Sequence, residues 1–234
     1  MGKIIVIEGT DCSGKETQTK LLKEYLISKG YKVGTISYPR YETPTGRIIG
    51  GPLLGKPSIM ASWFDKPMEL DAKVATLYYA ADRRASLPVI KELLEENDFL
   101  IMDRYVYSNM AHQGSKIDSK EERIKMYKFL ETLEFNLLEL PKADKVIFLY
   151  LPYVFGEEIK KNRKELLDEA EKNKLHQIRS EQVYLELTEI YDFIKIAAPA
   201  VINDVVWSFA NSAFAAILGD DMVAANAVAV MVVN

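Results

Sequence analysis

Short apolar runs alternate with amphipathic stretches along most of this chain. Ile4–Ile7 is a β-branched run between Lys3 and a glycine-containing turn, the pattern of a strand buried on both faces in a parallel sheet. From Lys15 to Lys29 the period changes, with Leu21, Leu22, Tyr25 and Leu26 on one helical face and Gly30 as the stop. Lys32–Ser37 predicts a second strand, and the Pro- and Gly-rich stretch Tyr38–Lys66 a working loop with short helical pieces. Met68–Ser86 predicts a long helix, and Pro88 suits the first turn of the next. Phe99–Met102 predicts a third strand ending at Asp103 and Arg104, followed by helices over roughly Tyr105–Gly114 and Ser119–Leu138. Lys145–Leu149 predicts a fourth strand ending at Pro152, Gln177–Tyr191 a helix, and Phe193–Ala197 a fifth strand. This alternation predicts an α/β fold of three layers, with helices on both faces of a five-stranded parallel sheet. Ligands are then expected at the carboxyl ends of the strands.

Composition narrows the class. The chain has 234 residues, 48% of them apolar and 27% charged, as in one soluble α/β domain of ordinary size. A net charge of −4 argues against a general nucleic-acid binder. Cys12 is the only cysteine, which excludes an intrachain disulfide and a cysteine-based zinc site. The opening Met1–Gly9 is too short and too soon acidic for a secretory signal, so a cytoplasmic setting is expected. One region departs from this composition. From Ile196 to Asn234 there is no Lys or Arg, and the only charges are Asp204, Asp220 and Asp221. The chain accordingly divides into a domain over 1–196 and an atypical apolar tail over 197–234.

The strongest chemical signal is Gly9, Thr10, Asp11, Cys12, Ser13, Gly14 and Lys15, directly after a predicted strand and before a predicted helix. This is the spacing of a P-loop, whose backbone N–H groups wrap phosphates at a helix N-terminus. Lys15 is placed to neutralise the β- and γ-phosphates of a bound nucleotide. The next residue, ordinarily Ser or Thr for Mg²⁺, is Glu16, with Thr17 after it. A carboxylate is also a hard-oxygen ligand for Mg²⁺.

Three further stretches choose among P-loop proteins: Tyr38–Tyr41, Tyr79–Arg83 and Asp103–Asn109. Together with Glu8–Asp11, and in this order, they resemble the thymidylate kinases from Lys3 to about Ile196. The resemblance implies transfer of the γ-phosphate of ATP to dTMP, with Mg²⁺. It implies that Asp11 accepts from the 3′-hydroxyl of dTMP, although an Asp beside glycine also closes turns. Tyr79 matches the aromatic that stacks on thymine, or else a core aromatic. Arg83, one helical turn on, matches the donor to the thymine carbonyl. Ser108 and Asn109 match residues at the base, and Asn109 the partner of the N3 edge. His112 stands where relatives often carry a tyrosine against the sugar, or else lies on a helix surface. Asp103 is similar to the acid that holds Mg²⁺ through water, and Arg104, Arg40 and Tyr41 to contacts of the dTMP phosphate. Two opposite charges ending an apolar strand rarely serve packing alone.

The charged segment 156–172 resembles the lid of these kinases. Cys12 stands where some relatives carry a basic P-loop residue, so the lid is expected to supply the catalytic cation, Arg163 first and Lys161 second. The resemblance also implies a homodimer through the helix carrying Tyr79. The tail resembles a fragment of a multidrug-export (MATE-type) transporter. It is too polar at Asn203, Asp204, Ser208, Asn211 and Ser212 for an isolated membrane span, and membrane contact is expected only if it is a genuine part of the protein. Two alternatives stay open: a deoxynucleoside kinase, which would need a base for an uncharged hydroxyl, and a membrane-associated nucleotide-binding regulatory protein.

Overall fold

The computed structural model describes residues 2–161 and 166–197. The elements, in chain order, are β1 (Lys3–Gly9), α1 (Lys15–Ser28), β2 (Val33–Ser37), α2 (Pro44–Ile48), α3 (Ala72–Ala85), α4 (Leu87–Glu96) and β3 (Phe99–Asp103). Then come α5 (Val106–Gly114), α6 (Lys120–Glu131), β4 (Lys145–Tyr150), α7 (Tyr153–Lys161), α8 (Glu169–Lys172), α9 (Lys174–Ile190) and β5 (Ile194–Ala197). All five strands are parallel, in the order β2-β3-β1-β4-β5. The expected α/β architecture is therefore present.

The strand sequences read as continuous apolar runs because successive residues serve different cores. Ile4, Val6, Leu100, Met102, Val146 and Phe148 face one core, where α4, α5, α6 and α9 pack. Ile5, Ile7, Phe99, Ile101, Ile147 and Leu149 face the other, with Leu22 and Leu26 of α1. That is the period-two consequence of a pleated strand covered on both sides. The register brings Ile7 and Ser37 level with Asp103, and Gly9 level with Leu149. The chain thus leaves β1, β2, β3 and β4 along one edge, and every turn carrying a candidate residue opens there.

Two helices differ from expectation, each for a local reason. The stretch 68–86 is not one helix. A 3₁₀ turn covers Pro67–Glu69, and α3 begins only after Asp71, whose carboxylate caps the N–H groups of Lys73 and Val74 at 3.0 Å each. The stretch 119–138 stops being α-helical at Glu131 and continues as a π-helical turn over Thr132–Leu137. Such turns rotate side chains off the regular helical faces, and Glu134 ends up fully buried. The loop 38–71 forms a satellite core of Ile49, Leu53 and Leu54 against Phe64, Met68, Tyr79 and Ala170.

Glu8, near the end of β1, joins the layers. It has no exposure to solvent. Its Oε1 accepts from the N–H groups of Tyr105 (2.9 Å) and Ser108 (3.1 Å), and its Oε2 from the hydroxyls of Ser108 (2.5 Å) and Tyr184 (3.0 Å). One carboxylate thereby holds the entry of α5 and the middle of α9 to the central strand. Glu8→Ala strands two buried amides and leaves the two hydroxyls, 3.0 Å apart, only each other; each group left unpaired costs about 1–3 kcal/mol. Urea denaturation should show a loss of at least about 3 kcal/mol for Glu8→Ala and a smaller loss for Glu8→Gln, which keeps an acceptor for the amides.

Candidate active site

The P-loop is built as its sequence requires. A Cβ on Gly9 would come within 2.4 Å of Ser13 Oγ and 2.9 Å of the Leu149 carbonyl, and Gly14 has φ 80°. Both positions need glycine. Cys12 also takes a left-handed φ, of 61°. Thr10 ties the loop to the neighbouring strand end, its hydroxyl donating to Leu151 O (2.7 Å) and accepting from Leu151 N–H (3.1 Å). The Lys15 ammonium donates to Gly9 O (3.1 Å) and Thr10 O (2.8 Å). Burial, with Arg104 adding to it, brings its pKa down to about 8.

Beside the loop lies a cavity of about 230 Å³. Asp11 and Arg104 stand at the P-loop end of it. The Arg104 guanidinium donates to Asp11 Oδ1 at 3.1 Å, from a backbone held at φ 65°. Burial alone would raise the Asp11 carboxyl, but Arg104 and Lys15 outweigh it and hold the group well below the usual carboxylate range. Tyr79 and Arg83 of α3 line one wall, and Ser108, Asn109 and His112 of α5 another. Arg83 is buried and forked onto Glu134, its Nε meeting Oε2 and its Nη2 meeting Oε1 (2.6 Å). Tyr41, Asp168 and Glu171 also line the cavity. Burial, with help from Glu171 and Asp11, pushes Asp168 up to about 6.

The two histidines have assignable protons. Ser115 Oγ donates to the His112 carbonyl (2.8 Å), so towards His176 Nδ1 (3.1 Å) it can only accept. His176 therefore carries its proton on Nδ1, and its Nε2 accepts from His112 Nδ1 at 3.0 Å. His112 Nε2 is then an acceptor when the ring is neutral. Both rings favour neutrality. Burial, followed by His176 and Arg104, takes His112 well below the usual histidine range, and burial followed by Lys116 takes His176 down to about 4.

With this geometry in hand, comparison with known proteins is decisive. The family model for thymidylate kinase matches residues 7–207. The chain belongs to the thymidylate kinase family. It is 29% identical to human thymidylate kinase over 64% of this chain and 61% of that protein. It is 32% identical to a probable thymidylate kinase of Thermococcus kodakarensis over 82% of this chain and 87% of that protein. The solved structure of thymidylate kinase from Candida albicans superposes with a TM-score of 0.61, at 29% identity and 88% coverage of each chain. The chain thus spans less than two thirds of the human relative's length and most of the archaeal one's. The family match runs past Ile196 to residue 207. The transporter likeness falls on residues outside the described ones.

Most residues expected at a thymidylate kinase site come together here. Asp11, Tyr41, Tyr79, Arg83, Arg104, Ser108, Asn109 and His112 share the cavity. His112 is in its wall and not on the helix surface, because α5 is packed between α3 and α9. Arg40 is placed differently: its guanidinium pairs with Glu42 (2.9 Å) and reaches Ser86 Oγ (3.4 Å). Glu16 and Thr17 are exposed in the first turn of α1. Arg163 lies outside the described residues, and Lys161 is exposed. Among the described residues of the lid, Lys160 meets the P-loop: it is buried, with Nζ 3.9 Å from Asp11 Oδ2 and 3.5 Å from Glu157 Oε1. Sequence reasoning passed over Lys160 because a run of like charges hides which one turns inward. It also passed over Asp82, whose buried carboxylate accepts from Arg40 N–H (2.9 Å) and Thr45 Oγ1 (2.7 Å) and so pins the loop after β2.

The neutral histidines carry a pH signature. A histidine whose folded pKa is depressed binds its proton more readily in the unfolded chain, so the fold loses stability as pH falls below about 6.5 towards the folded value. Between pH 6.5 and 5 each of the two should contribute a loss of up to about 1.4 kcal/mol per pH unit. The parent should therefore lose more stability over that window than a His112→Gln/His176→Gln variant, which has no histidine. Denaturation midpoints at both pH values measure the difference, and parallel slopes would refute it.

Proposed function

We propose that this thymidylate kinase family member transfers the γ-phosphate of ATP to dTMP, giving ADP and dTDP. The observation that carries the reading is one cavity with Arg83 and Asn109 in its walls and the Asp11–Arg104 pair at the end against the Lys15 loop. Thymine would lie against Tyr79 with its polar edge at Arg83 and Asn109. The 3′-hydroxyl would donate to Asp11, and the acceptor phosphate would meet Arg104. An oxygen of that phosphate attacks the γ-phosphorus while the bond from γ-phosphorus to the β-bridging oxygen breaks. The nucleophile is already anionic, so no general base is required, and positioning with charge neutralisation carries the step. A permanently charged arginine in the acceptor cavity favours a monophosphate over the uncharged hydroxyl of a nucleoside.

The residues at the end of β3 fit Mg²⁺. Among the described residues, Asp103 Oδ1 is buried without a hydrogen-bond partner, a hard oxygen at the strand end beside the P-loop. No group of three or more His, Cys, Asp or Glu converges among the described residues, so most ligands would be phosphate oxygens and water, as Mg²⁺ prefers. Bound there, the ion would neutralise charge on the β- and γ-phosphates. Glu16, in the first turn of α1, is the second candidate. From the lid, Lys160 would add positive charge, and Arg163, outside the described residues, stays a candidate.

We also propose a homodimer through α3, where Val74 and Leu77 are 41% and 53% exposed. No helix among the described residues is long and apolar enough to cross a membrane.

Three experiments test these assignments. Lys15→Ala should keep the fold and lower kcat at least about a hundredfold, because a charge aimed at the transferred phosphoryl group is lost. Coupled assays with dTMP, with thymidine and with no acceptor give the comparison, and equal rates with thymidine would favour the nucleoside kinase. Leu77→Glu should turn a dimer into a monomer in sedimentation velocity; an unchanged sedimentation coefficient places the contact elsewhere.

A further inference from the structure

Glu134 belongs to none of the stretches that resemble the family's motifs, yet it is wholly buried behind the acceptor cavity. Its Oε2 receives Arg83 Nε, and its Oε1 receives both Arg83 Nη2 (2.6 Å) and Asn109 Nδ2 (3.2 Å). We propose that Glu134 is the positioning residue that makes the cavity select a 4-oxo, N3–H pyrimidine over a 4-amino one. The proposal rests on reading the cavity as the dTMP site.

The argument is one of donors and acceptors. A carboxylate bonded in this way only accepts, so Asn109 must turn its NH₂ group towards Glu134. A second pure acceptor, the Thr76 carbonyl, lies 3.4 Å from the same nitrogen. Two acceptors fix an amide orientation that a single contact would leave ambiguous. The atom left over is Asn109 Oδ1, buried without a partner, in a residue that lines the cavity. Arg83 has likewise committed Nε and Nη2, leaving Nη1, which is 3.5 Å from the Tyr105 carbonyl and has a second N–H. The cavity therefore offers an acceptor and a donor from these two residues. Thymine and uracil present the complement, an N3–H donor and an O4 acceptor. Cytosine presents the reverse, an N3 acceptor and an N4 donor, and both contacts become mismatched.

Asn109 alone could serve either base by rotating its amide through 180°. Glu134 removes that freedom, because the flipped amide would set its oxygen against two acceptors. The preference thus originates in a residue that does not touch the base.

The test compares dTMP with 5-methyl-dCMP, which keeps the methyl group and differs only at the base edge. In the parent, calorimetric Kd values should differ by at least a hundredfold in favour of dTMP. In Glu134→Gln the new amide can accept from Arg83 and donate to a flipped Asn109, so the ratio of kcat/KM for the two nucleotides should fall at least tenfold. The KM for ATP should stay within twofold. In an Asn109→Ala background, Glu134→Gln should leave the ratio within threefold. A folded Glu134→Gln enzyme with the parent's ratio overturns the proposal, as does an equal fall in the Asn109→Ala background. If the variant does not fold, the parent still decides: Kd values within threefold show an amide that is not locked. A parent that binds neither nucleotide overturns the dTMP reading itself, and this inference with it.

Discussion

The Glu8 carboxylate has no contact with water, and four donors converge on it at the place where β1 hands over to the phosphate loop. Those donors belong to the segment entering α5, to α5 itself and to α9, so one buried carboxyl group sets the height of the α5 wall of the cavity relative to the P-loop. Removing solvent from a carboxylate is unfavourable unless its lone pairs are satisfied. Here two amides at a helix entry and two hydroxyls do so. The geometry of the cavity follows. Ser108, Asn109 and His112 occupy successive turns of a helix whose first turn is bolted to the strand that also carries Gly9. Arg104 leaves β3 immediately before that bolt, and its N–H bonds the Ile7 carbonyl at 2.9 Å.

Charge is sorted along the cavity. At the P-loop end, Lys15, Arg104 and Lys160 surround Asp11, which stays ionised because the cations outweigh the effect of burial. At the other end the charges cancel within the wall, Arg83 against Glu134, and present directional N–H and C=O groups to the interior. On the proposed function, an anionic group would be drawn to the first end and a neutral, hydrogen-bonding ring to the second. The separation comes from different elements: the cationic end from strand-end turns and the lid, the neutral end from three helices, α3, α5 and the π-helical turn after α6.

Local sequence was sufficient for some of this and not for the rest. The strands were legible because burial on both faces demands unbroken apolar runs. The P-loop was legible because its glycines and lysine follow each other within one turn. Arg83 and Asn109 were reached through motifs alone. Glu134 was not, since its two partners lie far away in sequence and the turn that buries it breaks the helical period used to assign faces. Asp82 escaped for a similar reason: nothing near it records that a loop forty residues earlier will rest on it. Lys160 differs from its neighbour Lys161 only in which way α7 turns it. Long-range polar pairing leaves no periodic trace, whereas apolar burial does.

The backbone at Arg104 sits at φ 65°, a conformation that disfavours any residue with a Cβ by roughly 1–2 kcal/mol relative to the right-handed region. Glycine or asparagine would relax that turn, and neither could provide a guanidinium beside Asp11. Position 104 is therefore one where relief of backbone strain and retention of the ion pair with Asp11 favour different residues. A substitution chosen for backbone strain alone would put glycine there and leave Asp11 without the guanidinium it now pairs with.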